Sequence, residues 1–255
     1  IIYCLTTDDT EEVAEWLADH GLDVLPYHGQ LDDETRRESE QRLLDNDVDG
    51  LVATNALGMG FNKPDLGFVI HFQRPPDLIR YYQEIGRAGR HLDEAYAILL
   101  AGEEDDDIAE YFIENAFQAP KDFKMVITVI EESEEALSKR EIKDQTGMKW
   151  RRMNKCIDIL SVEDAITSVN KGYVRTQTEW TYDHDRVEKV TDRRWEELNR
   201  IKEFVTTDQC LTLYIDGELD GNLDEPCGQC ANCVGNFLPT SVQNEGLIQQ
   251  AAERF

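Results

Sequence analysis

The stretch from Tyr81 to Arg90 carries the residues whose types and spacing are best suited to bind phosphate. It contains the pattern Gln-x-x-Gly-Arg-x-Gly-Arg, with its two arginines three positions apart. A guanidinium group stays charged and binds phosphate oxygens in a bidentate way, and glycine lets a ligand approach the backbone closely. The pattern therefore predicts a phosphate clamp; the simpler alternative is an ordinary helix with solvated arginines.

Two other segments, each directly after an apolar strand-like run, have residues that suit contact with a phosphate backbone. The first is residues 27–31, and with the helix that follows it supplies His28 and Arg36. The second is residues 52–62, and with the carboxylate after it the segment supplies Thr54, Asn55, Gly58, Gly60 and Asp65. We expect Asp65 to accept a hydrogen bond from a ribose or to pair with an arginine of the clamp. For a single segment, a buried threonine and turn glycines would be the simpler interpretation. Three such segments in this order strongly indicate a site that binds phosphate groups.

The elements that must position these segments alternate between strand-like and helix-like patterns. Apolar runs predict strands at residues 1–5, 24–27, 50–54, 68–72 and 95–100. N-cap oxygens and apolar spacing predict a helix over about 10–20 and a second one starting at Asp32 or Asp33. The alternation predicts an α/β domain with a parallel sheet, whose ligands bind at the carboxyl ends of the strands. We therefore expect the three segments at that edge.

The chain as a whole is strongly acidic, with 26 Lys and Arg against 53 Asp and Glu and a net charge of −27. Taken alone, this charge argues against nucleic-acid binding, which depends on basic groups. It suggests a surface adapted to high salt, and the alternative is an acidic mesophilic protein. The sequence shows no apolar run of membrane-spanning length and no signal peptide. Because Ile1 opens directly on a strand, we expect a fragment of a longer protein.

Residues 119–182 have a different pattern, which predicts a separate domain. Three short helices and then a hairpin with a glycine in its turn are predicted at residues 123–132, 139–145, 148–162 and 165–176. This order is typical of a winged helix, a variant of the helix-turn-helix. Basic residues and one tyrosine suited to stacking on a base cluster on the third helix and the hairpin: Lys149, Arg151, Arg152, Lys155, Lys171 and Tyr173. We favour a DNA-binding face; the alternative is a domain for protein contacts.

Four cysteines have the spacing of a structural metal site. Cys210 lies upstream of two consecutive C-x-x-C steps formed by Cys227, Cys230 and Cys233. Four thiolates are a tetrahedral ligand set for zinc, and they leave no open position for a substrate. The pattern predicts structural zinc; a redox dithiol, the alternative, would not need four thiols.

Together these motifs resemble the second RecA-like domain of superfamily 2 helicases, and more closely that of the RecQ family. Ile1–Thr6 is similar to motif IV, residues 53–65 to motif V, and Gln83–Arg90 to motif VI. The resemblance covers roughly the first hundred residues. The run from Glu225 through the cysteines is similar to the RecQ zinc module.

The resemblance implies roles for single residues. Arg87 and Arg90 would reach the phosphates of ATP as arginine fingers, with Arg90 as the first choice. Gln83 would contact the phosphates or couple ATP to DNA. The remaining residues divide into a nucleotide-binding set, Gly60, Asp65 and Gly86, and a set that would touch the tracking DNA strand, Thr54, Asn55 and Gly58.

Two motifs that such an ATPase needs, the phosphate loop and the Asp-Glu-x-His magnesium motif, are missing from the sequence. The resemblance assigns them to a first RecA-like domain ahead of Ile1. ATP and magnesium would then bind in the full-length protein, and we expect this chain alone not to hydrolyse ATP.

The order of the predicted modules departs from most RecQ proteins, in which the zinc module precedes the winged helix. The predicted domains are a RecA-like domain at 1–118, a winged helix at 119–182, a helix with a zinc module at 183–237 and a tail or linker at 238–255. We expect a cytoplasmic, nucleoid-associated, ATP-dependent DNA helicase that moves 3′→5′ on single strands and duplex junctions in repair or recombination. The alternatives are a non-enzymatic DNA-binding module with a degenerate helicase domain and an RNA helicase.

Overall fold

The computed structural model describes residues 1–58, 60–102 and 104–235. Packing divides the chain into a first unit, Ile1–Asp105 with the chain from Glu197 onward, and a second unit, Asp106–Glu196. The predicted tail, 238–255, and the end of the predicted zinc domain lie outside the described residues. The predicted domain boundaries stay predictions. Among the described helices, none combines the length and the apolar character needed to cross a bilayer.

The first unit contains a five-stranded parallel sheet in the order β2-β3-β1-β4-β5. Its elements are β1 Ile2–Tyr3, α1 Thr7–Asp19, β2 Val24–Tyr27, α2 Asp33–Leu44, β3 Gly50–Ala53, β4 Phe68–His71, α3 Leu78–Ile85 and β5 Tyr96–Leu99. The predicted α/β architecture is confirmed. Every predicted strand is present, although most are shorter by a residue or more than the apolar runs.

Local signals explain where these elements begin and end. The Thr6 hydroxyl accepts from the Asp9 amide at 3.1 Å, and the Asp32 carboxylate accepts from the Thr35 amide at 2.9 Å, so both residues cap the helices that follow. All four residues of β3 are buried, because a central parallel strand is covered on both faces. This explains why the strand is a continuous apolar run in the sequence.

The described residues of the connection from β3 to β4, 54–58 and 60–67, form no helix, although the two strands flank β1 and each pairs with it in parallel. Leu57 and Leu66 are buried in the connection and belong to the same apolar cluster as Leu51 and Val69 of the sheet. The connection is therefore a packed loop. This loop carries the residues between 54 and 65 that the sequence predicts to contact DNA or nucleotide.

The chain from Glu197 onward returns to the first unit. Its elements are the last part of α8, His184–Thr206, then α9 Leu211–Glu218 and α10 Ala231–Val234. Leu198, Ile201 and Phe204 of α8 are buried. The four cysteines stand at the start of α9 and around the start of α10.

The second unit consists of three helices followed by an antiparallel hairpin, as predicted for a winged helix. The elements are α5 Pro120–Glu131, α6 Lys139–Thr146, α7 Trp150–Val162, β6 Ile166–Val169 and β7 Gly172–Arg175. Met153, Ile157 and Leu160 of α7 are fully buried in its core. The prediction that the third helix starts at Met148 is wrong by two residues, because Gly147 adopts a left-handed conformation (φ +65°) and Lys149 is extended. The helix α4, Glu104–Glu114, precedes these elements.

Candidate nucleotide and nucleic-acid interface

The two arginines of the predicted clamp are held against the loop that follows β3. Arg87 donates from Nη1 to the Phe61 carbonyl at 3.0 Å and from Nη2 to the Gly58 carbonyl at 3.2 Å. Arg90 donates to the Asn62 side-chain oxygen at 2.7 Å and to the Gly86 carbonyl at 3.2 Å. The structure therefore joins the motif VI and motif V segments.

The two arginines differ in accessibility. Arg87 is half-buried, and its guanidinium is directed to loop carbonyls, whereas Arg90, Gly86 and Gln83 are exposed. The exposed Arg90 guanidinium is joined to the loop by a hydrogen bond to the Asn62 side chain. It can exchange that partner for a phosphate oxygen. The geometry thus suits Arg90 for ligand contact and Arg87 for holding the loop.

The clamp does not lie at the carboxyl edge of the sheet, so that expectation is wrong. The Gly89 amide donates to the Leu66 carbonyl at 3.0 Å, and the His91 amide donates to the Pro64 carbonyl at 2.9 Å. Leu66 and Pro64 come just before β4 begins, which places the clamp at the amino end of that strand. The reason is that a crossover helix such as α3 runs back against the direction of the strands.

The carboxyl edge holds two other predicted residues, His28 after β2 and Thr54 after β3. The Thr54 amide donates to the Tyr27 carbonyl at 3.0 Å, and its hydroxyl accepts from the Ala56 amide at 3.3 Å. His28 is buried, with Nε2 3.2 Å from a Glu11 carboxylate oxygen. Both side chains face protein partners, while Asn55, Gly58 and Gly60 are the exposed members of the predicted set.

Two predicted ligand contacts are already engaged within the protein. Asp65 accepts from the Lys63 ammonium at 2.9 and 3.0 Å and from the Asn46 amide at 3.2 Å, so its expected pairing with an arginine of the clamp is not found. A buried ammonium such as that of Lys63 requires a partner, and its hydrogen bond lowers the pKa of Asp65. Arg36 pairs with Asp33 one helical turn away.

Sequence reasoning missed a buried polar network on α3. His71 Nε2 lies 2.8 Å from a Glu84 carboxylate oxygen, and the other oxygen accepts from Arg80 Nε at 3.0 Å. His71 and Glu84 are both buried. The network fixes the helix before the clamp to β4. A lone histidine in a strand and a glutamate in a helix gave no signal of it in the sequence.

The residues of the predicted DNA face of the second unit differ in their contacts, and their binding to DNA stays a prediction. Arg151 and Lys155 on α7 are exposed, as are Lys149 just before that helix and Lys171 in the hairpin turn. Arg152, however, donates from Nε to the buried Asp122 carboxylate at 2.6 Å. Arg152 thus forms an internal ion pair, and a role of this half-exposed side chain on DNA stays a prediction.

Tyr173 is also used inside the second unit. Its backbone exchanges two hydrogen bonds with Leu137, at 2.8 and 3.1 Å, and its ring packs on the helical core. The Lys139 ammonium lies 5.9 Å from the ring centroid. Tyr173 therefore packs within the second unit while only partly buried, and its stacking on a base stays a prediction.

The four predicted metal ligands come together. Their sulfur atoms all lie within 4.8 Å of one another, with separations of 3.4 Å for Cys230–Cys233, 3.9 Å for Cys210–Cys230 and 4.0 Å for Cys227–Cys233. A tetrahedral ion with metal–sulfur bonds of about 2.3 Å would separate its ligands by about 3.8 Å. These four residues could hold a metal ion, and the set is compatible with zinc.

Backbone amides donate to two of these sulfur atoms. The Cys227 amide donates to the Cys210 sulfur at 3.3 Å and lowers the pKa of that thiol. The Leu211 amide donates to the Cys230 sulfur at 3.4 Å. A thiolate is the metal-binding form of cysteine, and the pKa values differ within the cluster: that of Cys227 is lowered to about 6, whereas the hydrogen bond with Cys230 raises that of Cys233.

Known proteins to which this chain is similar carry the names of helicases. Residues 1–92 match the family model of the helicase conserved C-terminal domain. A RecQ ATP-dependent DNA helicase of Synechocystis is 38% identical over 123 residues, which are 46% of this chain and 26% of that protein. A putative ATP-dependent RNA helicase of Acanthamoeba polyphaga mimivirus is 40% identical over 113 residues, 44% of this chain and 21% of that protein.

One similarity extends across most of the chain. The probable ATP-dependent DNA helicase RecS of Bacillus subtilis is 29% identical over 244 residues, which are 91% of this chain and 46% of that protein. The chain spans less than half the length of each of these curated relatives.

Residues 1–92 are therefore similar to the C-terminal domain of helicases. The chain is also similar to bacterial RecQ and RecS helicases, each over less than half of that relative's length.

Proposed function

We propose that this chain is the C-terminal part of the motor of an ATP-dependent DNA helicase that moves 3′→5′ in DNA repair or recombination, at the nucleoid in the cytoplasm. The first RecA-like domain of such a helicase would supply the phosphate loop and the magnesium-binding carboxylate. The observation that carries the proposal is the exposed Arg90 guanidinium, held 2.7 Å from Asn62 beside a loop that Arg87 fixes.

The chain's contribution to hydrolysis would be positioning and charge. Arg90 would leave Asn62 and face the phosphates of ATP when the two domains close, where its charge stabilises the transition state. Arg87 would keep the loop in register with that movement, because its two donors contact Gly58 and Phe61 carbonyls. ATP with magnesium supplies the phosphoryl group that is transferred.

The loop fixed by Arg87 is also the part of the first unit best placed for a DNA strand. Asn55, Gly58 and Gly60 are exposed on it, and glycine lets a phosphate approach the backbone. A change in Arg90 on hydrolysis would reach these residues through Asn62, which lies in the same loop. Nucleotide state and strand contact would thus be linked by a few residues.

A second DNA contact is proposed on α6 and α7 of the second unit. Seven of the chain's 26 Lys and Arg fall within residues 139–155, alongside two acidic residues. In a chain of net charge −27, such a local basic excess is the electrostatic footprint expected for phosphate binding. Lys149 just before α7 and Arg151 and Lys155 on α7 are exposed and form no ion pair within the part of the chain that the structure describes, whereas the exposed Arg152 is paired with Asp122.

For the four cysteines we propose zinc with a structural role. Four sulfur ligands at these separations complete a tetrahedron and leave no position for a substrate. The ion would join the start of α9 to α10.

The test of the motor proposal is Arg90→Ala in the protein that carries this chain together with its partner RecA-like domain. We expect DNA-stimulated kcat for ATP to fall about a thousandfold, the lower end of the effect of arginine fingers, with little change in DNA affinity. Arg37→Ala, which removes an exposed arginine of α2, is the matched control. Normal turnover by Arg90→Ala would refute the role of Arg90.

An RNA helicase is a second candidate, favoured by the mimivirus relative that carries that name. Unwinding of DNA and RNA duplexes of the same sequence distinguishes the two. If the protein with both domains hydrolyses no ATP on either nucleic acid, the remaining candidate is a non-enzymatic DNA-binding module.

A further inference from the structure

The helix α3, which leads directly into the arginine clamp, is held from two sides by aromatic rings. It has only eight residues, and its buried positions Leu78, Tyr81 and Glu84 lie three apart on one face. The Tyr81 ring centroid lies 5.0 Å from that of His71 on β4 and 5.3 Å from that of Phe204 on α8. Tyr81 is thus packed between the sheet and the helix that leads to the cysteines.

This aromatic packing continues in both directions. Tyr3 of β1 stacks on His71 with centroids 5.4 Å apart. On the other side, the Phe204 ring lies 5.7 Å from Tyr214 of α9, and the Tyr214 hydroxyl donates to the Arg200 carbonyl at 3.1 Å. Phe204 and Tyr81 are both nearly inaccessible to solvent.

The same path reaches the cysteine cluster. The helix α9 begins at Leu211, whose amide donates to the Cys230 sulfur, and Cys210 stands immediately before it. A continuous set of contacts therefore joins the proposed metal ligands to α9, then to Phe204, Tyr81 and the helix before the arginines.

A helix of this length is not stable in isolation, so its position is set by what it packs against. Its polar tie to β4 through His71 and Glu84 fixes one side only. On the other side α3 packs against α9 and against Phe204 of α8, whose ring contacts Tyr81. Loss of that contact would leave the helix free to tilt and move the arginines that follow it.

We propose that Phe204 is a positioning residue for the arginine clamp, and that the four-cysteine module acts through it on phosphate chemistry. This inference rests on the proposed ATPase function. Small displacements of a catalytic group, of about 1 Å, lower rates by about a hundredfold. The module would therefore tune turnover without touching nucleotide or DNA.

The experiment is Phe204→Leu in the protein with both RecA-like domains, with Val13→Ala as a control that removes core volume from the cluster around α1. We expect Phe204→Leu to lower kcat at least tenfold, while KM for ATP, metal content and DNA affinity stay within twofold of the unchanged protein. Tyr81→Phe, which keeps the ring, should retain full kcat. Tyr81→Leu combined with Phe204→Leu should be no slower than either single variant, because both remove one contact.

A second measurement on the present chain tests the packing without any ATPase. The Gly89 and His91 amides donate to backbone carbonyls before β4. The rate of hydrogen exchange at these two amides therefore measures how often the clamp segment detaches from the residues before β4. Phe204→Leu should speed exchange at these two amides at least tenfold, and Val13→Ala should not.

The outcomes separate the two proposals. If the unchanged protein hydrolyses ATP and Phe204→Leu matches it in kcat and exchange, the positioning role is overturned. If kcat falls equally in Val13→Ala, the effect is general destabilisation and the role is again overturned. If the unchanged protein hydrolyses no ATP, the proposed function fails, while the exchange result still decides whether Phe204 seats the clamp.

Discussion

The ion pair between Arg152 and Asp122 predicts that a residue expected on a DNA face is instead required for stability. The Asp122 side chain is 6% exposed, and one carboxylate oxygen accepts from Arg152 Nε at 2.6 Å and from the Ala119 amide at 3.2 Å. Arg152→Ala would leave the buried carboxylate with the amide alone. Removing a partner from a buried pair costs about 3–5 kcal/mol.

The Arg152 side chain is 46% exposed, which lowers that cost because solvent screens the pair. We therefore expect a loss of about 2 kcal/mol, which corresponds to a fall in the melting temperature of roughly 4–8 °C for a chain of this size. Thermal unfolding followed by circular dichroism, at matched salt and pH, measures it. A melting temperature within 1 °C of the unchanged chain, by the same order-of-magnitude scale, would refute the reasoning.

Arg151 provides the matched control, because it is the adjacent arginine on the same helix and is exposed. Arg151→Ala should leave stability within about 0.5 kcal/mol. It should weaken DNA binding and reduce the slope of affinity against salt by about one unit, as expected for one lost phosphate contact. If both variants weaken DNA binding equally and neither changes stability, Arg152 belongs to the DNA face after all.

Two further predictions concern the metal site and a helix cap. Cys230→Ser should abolish stoichiometric zinc binding, measured by elemental analysis of the purified chain. It should also unfold the region from α9 to α10, because the binding energy of a structural metal contributes directly to folding. Cys156→Ser is the control outside the cluster, and a full zinc complement in Cys230→Ser would contradict the assignment. Hydrogen bonds from Ser138 lower the pKa of Glu141 below its ordinary value of 4.5, so the ionised cap stabilises α6 above that pH, and this contribution is lost as the pH falls through the lowered pKa. Ser138→Ala should raise the pKa of Glu141 toward 4.5, measured by carboxyl NMR titration, and an unchanged titration would show that the cap is not formed in solution.

Local patterns predicted the element order well, because their physical causes are local. The Thr6 and Asp32 caps, the continuous apolar run of β3 and the left-handed Gly147 each act within a few residues of the feature they determine. The errors at element ends, such as the start of α7 at Trp150, arise where two neighbouring residues both suit a cap or a first turn.

Local sequence patterns did not predict the end of the sheet at which the arginine clamp lies. It follows α3, and the direction of a crossover helix depends on where the next strand pairs, which is a property of the whole sheet. The carbonyl partners of Arg87 lie 26 and 29 residues away in the chain. Local periodicity, capping and spacing carry no information on contacts at that separation.

The sequence by itself determined the parallel α/β architecture, the helix–hairpin order of the second unit and the four-cysteine ligand set, because each depends on periodicity, capping or close spacing. Tertiary structure alone decided how the polar residues are used. It directs Arg152 to Asp122, Asp65 to Lys63 and the Tyr173 ring to the core, while leaving Arg90 exposed. The physical reason is that a charge or ring is used by whichever partner folding brings within a few ångströms.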